Sequence, residues 1–173
     1  MSSQQQLVPS TPQDKTELPC LINVVTDDVV IEVGTSPFAL GKLILKHYRV
    51  PYSILLVGTP ECPYCARMAY TLDETISHVK GNSQGATPFF AYSLILSRSD
   101  PRAMDVETGL EINQFPALFV VDGRGDITPL IPNYMSVDEK DPMGNGRLQE
   151  PHDVLELMAR VQQQQSTRKR IKQ

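Results

Sequence analysis

Ser53-Ile54-Leu55-Leu56-Val57, followed after a short turn by Cys62-Pro63-Tyr64-Cys65, decides how this chain is read. The first stretch is apolar without alternation, the pattern of a strand covered on both faces. The second opens a segment with helical spacing that continues to about Lys80. Its apolar positions Cys65, Met68, Leu72, Ile76 and Val79 recur at intervals of three and four residues, which predicts a long helix with one buried face. Two thiols at i and i+3 on the first turn of a helix can close a disulfide. The partial positive charge of the helix N-terminus stabilises a thiolate at the first sulfur, and the thiolate is the attacking form. Cys65 lies on the apolar stripe and Cys62 lies off it. Cys62 is therefore expected to attack and Cys65 to resolve.

Two plainer readings compete. A structural zinc site wants four soft ligands, usually as paired Cys or His at short spacing. Cys20, His47, His78 and His152 offer no such pair. The other reading is an inert pair of core cysteines, since free Cys is often buried. Pro63 and Tyr64 are odd residues with which to begin a plain helix.

Farther along, Phe115-Pro116 stands just before Ala117-Leu-Phe-Val-Val121, a buried-strand pattern that ends at Asp122-Gly123. A proline at the head of a central strand is costly unless it begins the strand or adopts a cis bond. Together, CPYC after a central strand, a proline about fifty residues later, a tight hairpin and a last amphipathic helix resemble the thioredoxin superfamily. The resemblance covers about residues 28–165. It implies an α/β, thioredoxin-like three-layer fold with a central mixed sheet and helices on both faces. It also implies that Pro116 is the cis-proline packed against the active-site disulfide and that Phe115, beside it, contacts substrate backbone.

The sequence departs from its parent patterns at several places. Where thioredoxins carry a buried acid six residues before the first cysteine, Leu56 stands here. Glutaredoxins share CPYC, but their lysine and threonine ahead of it are replaced by Pro60-Glu61. Their TVP becomes Phe115-Pro116-Ala117, and their Gly-Gly-Asp-like loop becomes Asp122-Gly-Arg-Gly-Asp126. These differences argue against a glutathione site. Glu61 beside Cys62 is expected to raise the thiol pKa, and Arg67 and the helix N-terminus to lower it.

With 173 residues and a net charge of −4, the chain is expected to hold one domain with added length. Residues 1–17, polar and punctuated by Pro9 and Pro12, are expected to form a flexible leader. Residues 18–165 are expected to form the thioredoxin-like domain, and 166–173 a basic flexible tail. Strands are expected at 21–25, 29–33 and 89–96, with helices at about 36–49, 101–107 and 152–164. The hairpin's second strand is expected to run from Asp126 to Ile131 as an edge or short strand, because it contains Pro129. Residues 132–151, rich in Pro, Asp, Gly and Asn, are expected to form a solvated loop insertion. The acids Asp138, Glu139 and Asp141 lack EF-hand spacing. The tail's Arg168, Lys169, Arg170 and Lys172 have no interleaved aromatic residue for base stacking, which argues against a nucleic-acid role.

No charged segment followed by a long apolar run marks a secretory signal, and no run reaches the length of a membrane span. Three cysteines do not resemble an extracellular disulfide framework, so a cytoplasmic, reducing setting is expected. The function expected is a thiol–disulfide oxidoreductase acting on protein disulfides, with no cofactor, no metal and an unidentified redox partner. Cys62 and Cys65 are the expected catalytic pair, and Pro63, Tyr64, Phe115 and Pro116 are expected to contact substrate. The alternatives are a glutathione-dependent glutaredoxin-like enzyme, or a non-catalytic thioredoxin-fold module that binds proteins. Cys20 is expected to be a dispensable small hydrophobe.

Overall fold

The structure, a computed structural model, describes residues 18, 22–24, 40–42, 44, 52–82, 89–142, 144 and 146–171. Cys20 and the strand expected at 29–33 lie outside the described residues, as does most of the expected first helix. Leu40, Gly41, Lys42 and Ile44 of that segment are helical.

Five strands form one sheet in the order β1-β3-β2-β4-β5. They are β1 (Ile22–Val24), β2 (Tyr52–Gly58), β3 (Phe90–Ile95), β4 (Ala117–Asp122) and β5 (Ile127–Pro129). β1, β3 and β2 run parallel, while β4 and β5 are antiparallel additions. All seven residues of β2 are buried, and its period-two geometry divides them between two cores. Tyr52, Ile54 and Leu56 face one core, together with Met68, Leu72 and Ile76 of helix α1 (Pro63–Asn82) and Val154, Leu157 and Val161 of helix α4 (Pro151–Ile171). Leu55 and Val57 face the other, together with Leu40, Ile44 and Ala103 and Val106 of helix α2 (Pro101–Gly109). The result is a mixed sheet between two helical layers. The fold is thioredoxin-like.

Local chemistry explains the element ends. Asp100 caps α2 by accepting from the Arg102 backbone N–H at 3.0 Å, and Pro101 follows at the first helical position, where its missing donor costs nothing. In the β4–β5 turn, Asp122 Oδ1 accepts from the backbone N–H groups of Arg124 and Asp126, and Gly125 takes φ +89°. That glycine lies against Gly41, so closely that a Cβ on Gly41 would overlap the Gly125 carbonyl. At α4, Asp153 reaches back to accept from the backbone N–H groups of Gln149 and Glu150, one half of a capping box.

Three expectations need correction. The second hairpin strand stops at Pro129, not Ile131. A short kinked segment, α3 (Leu130–Asn133), follows it, with Ile131 in an extended conformation (φ −107°, ψ 133°) and a cis Ile131–Pro132 peptide. Pro129 has no N–H with which to extend the ladder. Residues 132–151 are not a purely solvated insertion, because Tyr134, Met135 and Leu148 are buried in the α1–α4 core. Finally, the last helix runs to Ile171, so 166–171 continue α4 instead of forming a separate tail. Nothing beyond Val161 is buried on it. Residues with good helix propensity carry the extension, and Arg168, Lys169 and Arg170 sit in the last turn, where cations favour the helix C-terminus.

Candidate active site at the start of helix α1

β2 ends at Gly58, and the chain turns through Thr59-Pro60-Glu61. The Cys62 N–H donates to the Thr59 carbonyl at 3.2 Å. Cys62 then occupies the capping position of α1. Its Sγ accepts from the Cys65 backbone N–H at 3.1 Å, as a serine or aspartate oxygen does at an ordinary helix start. Pro63 fills the first helical position, and α1 has no acidic residue in its first turn. A negative charge on Cys62 Sγ thus meets a donor N–H and the positive end of a 20-residue helix, which both favour it.

Cys62 and Cys65 are joined by a disulfide with Cα atoms 5.2 Å apart. Cys65 is 2% exposed, whereas Cys62 is half-buried. Pro63 and Tyr64 are exposed beside them. The close approach of Gly58 makes room for the buried sulfur: a Cβ there would lie 2.9 Å from both Cβ and Sγ of Cys65. Leu56, two residues before Gly58, is fully buried in the core.

The sheet register brings the second half of the site to the same place. Val57 pairs with Ala117, so Pro116, the residue before β4, falls opposite Gly58 at the end of the sheet from which CPYC departs. The Phe115–Pro116 peptide is cis. Pro116 is buried, and half-buried Phe115 packs against the α2-side core. All six expected site residues therefore lie at one end of the sheet. Among the described residues, no group of three His, Cys, Asp or Glu side chains could hold a metal ion, and no helix is long and apolar enough to cross a membrane.

Sequence reasoning missed one wall of this site. A cleft of about 400 Å³ next to Tyr64 is lined by Arg67, Gln114, Lys140, Asp141 and Gln149. The segment of residues 138–149 reaches it because Thr71 of α1 donates to the Gln149 carbonyl at 3.2 Å and because Met135 just before it and Leu148 within it are buried in the core. A second, more apolar cleft of about 360 Å³ adjoins it through Gln114 and Pro142. The length of the loop is the only sequence signal that points here, since long loops in compact domains often carry function.

No family model matches this chain, and no curated protein does. Among solved structures, it is similar to human ERp44 in its zinc-bound form, with 8% identity, 62% of this chain covered and a TM-score of 0.43. The match spans 25% of the length of ERp44. It is similar to spinach chloroplast thioredoxin F (short form), with 13% identity over 62% of this chain and 76% of that one and a TM-score of 0.41. It is also similar to the first thioredoxin domain of mouse protein disulfide-isomerase A4, with 13% identity over 69% and 79% of the two chains and a TM-score of 0.38. What makes the fold thioredoxin-like is its strand order and the position of CPYC between β2 and α1.

Proposed function

We propose that this protein is a thiol–disulfide oxidoreductase that acts on protein disulfides in a reducing, cytoplasmic setting. The observation that carries the reading is the inequality of the two sulfurs. Cys62 is half-buried at a helix N-terminus with an N–H donated to its sulfur, and it is bonded to a fully buried Cys65. In the reduced protein, the Cys62 thiolate attacks one sulfur of a substrate disulfide. A Cys62–substrate bond forms, the substrate S–S bond breaks and the first substrate thiolate leaves. Cys65, deprotonated, then attacks Cys62 Sγ. The 62–65 disulfide forms, the second substrate thiolate leaves, and two electrons have passed to the substrate. A partner dithiol returns the protein to its reduced form. Pro63, Tyr64, Phe115 and Pro116 shape the surface on which the substrate lies. The three-cysteine composition supports a reducing compartment.

Disulfide-reduction assays on the two single variants test this. Cys62→Ser abolishes turnover. Cys65→Ser leaves an attacking thiol with no resolving partner, so substrates accumulate as mixed disulfides on Cys62, visible by mass spectrometry. In the reduced wild-type protein, alkylation at neutral pH modifies Cys62 before Cys65. Faster modification of Cys65, or full turnover by Cys62→Ser, overturns the assignment.

A further inference from the structure

The cleft beside Tyr64 carries two cations, Arg67 and Lys140. Tyr64 and Arg67 are three residues apart on α1 and share one face. Helical side chains lean toward the helix N-terminus, so Arg67 covers the turn that begins at the disulfide. Lys140 comes from the opposite wall, and both side chains are exposed. Among the described residues, no carboxylate lies within ion-pair distance of either. The one acid lining the cleft, Asp141, is already engaged: its Oδ2 accepts from the Gly146 N–H at 2.9 Å and lies 3.9 Å from Arg147 Nε. Gln114 and Gln149 add amide groups. Glu61, the exposed acid beside Cys62, does not line the cleft. On the cleft's lining two cations stand against the single carboxylate of Asp141, while Asp138 and Glu139, exposed next to Lys140, do not line it.

We infer that Arg67 and Lys140 select disulfide substrates whose cysteine is flanked by carboxylate side chains, the acidic flank lying in the cleft between α1 and the 138–149 segment. The inference rests on the disulfide-exchange reading of the same site and names its substrate class. Complementary charge acts on encounter and register more than on the chemical step. Two solvent-facing ion pairs supply a preference of roughly three- to tenfold.

The test uses the full chain, reduced with a dithiol and freed of it, in single turnover. The probes are three otherwise identical peptides, each carrying one cysteine disulfide-bonded to a coloured thiol and flanked by Glu, Gln or Lys. The rate of colour release is divided by that of mercaptoethanol on the same peptide, which cancels the intrinsic effect of the flanking charge. The expected order is Glu above Gln above Lys, with Glu over Gln at roughly three- to tenfold. The preference collapses at about 1 M salt, where screening acts within about 3 Å. The variant R67Q/K140Q brings the Glu-to-Gln ratio near one. R170Q, near the far end of α4 and about 30 Å along it from its start, retains the wild-type ratio. K140E, a single surface change, lowers the ratio. A wild-type ratio of one, or a ratio unmoved in R67Q/K140Q, overturns this inference and leaves disulfide exchange standing. Failure to release colour from any peptide removes the disulfide-exchange reading and this inference with it.

Discussion

Cys62 plays two parts with one atom. Its sulfur closes the disulfide and also caps α1 by accepting the Cys65 N–H. The interaction that orders the helix start is therefore the one that stabilises the thiolate when the bond opens. Cys65 has a different environment because Gly58 has no side chain. A methyl group there would sit 2.9 Å from Cys65 Cβ and Sγ, below ordinary contact, and neither atom belongs to a flexible side-chain end. Gly58→Ala is expected to destabilise the oxidised protein by about 1–3 kcal/mol, the usual cost of overpacking a tight site. A denaturant midpoint equal to that of wild type shows that the strand end yields without cost.

Each helix is held by its own terms. α1 is driven by packing: Met68, Leu72 and Ile76 are nearly inaccessible to solvent. α2 buries only Ala103 and Val106 and relies more on its cap. There Asp100 pairs with the Arg102 guanidinium at 2.8–3.2 Å, and these hydrogen bonds hold its carboxyl below the ordinary value of 3.8. A carboxyl with a lowered folded-state pKa contributes stability above its unfolded pKa and loses it as pH falls through the folded value. Asp100→Asn keeps a capping oxygen but removes the charge. Its urea midpoint is expected to lie below that of wild type at neutral pH. The two midpoints are expected to converge as the pH drops below 3.8. A difference that persists undiminished at low pH assigns the effect to packing instead.

Across the molecule, the segment between β5 and α4 ties the parts together. It sends Tyr134, Met135 and Leu148 into the core, bonds to α1 through Thr71 and walls the cleft beside Tyr64. Leu148→Ala is expected to cost about 2–5 kcal/mol, as for other buried leucines. Val137→Ala, at a residue 60% exposed in the same segment, is expected to stay within about 0.5 kcal/mol. Equal small effects from chemical denaturation mean that the segment is not anchored. The central elements were legible in the sequence because their signals are local. The unbroken apolar run of β2, the three-and-four spacing of α1, and the half-buried and buried cysteines follow from periodicities that any buried strand or one-sided helix must obey. Asp100-Pro101 and Asp122-Gly123 were legible for the same reason, since caps and turns are chemistry between near neighbours. The far end of α4 was not, because residues 162–170 are all polar or charged and Ile171, the one apolar residue beyond Val161, is exposed. Nor was the cleft. Whether Lys140 and Gln149 reach the face of α1 that carries Tyr64 and Arg67 depends on where Met135 and Leu148 find room in the core. That is settled by packing between residues some seventy to eighty positions apart, and it leaves no periodic trace in the chain.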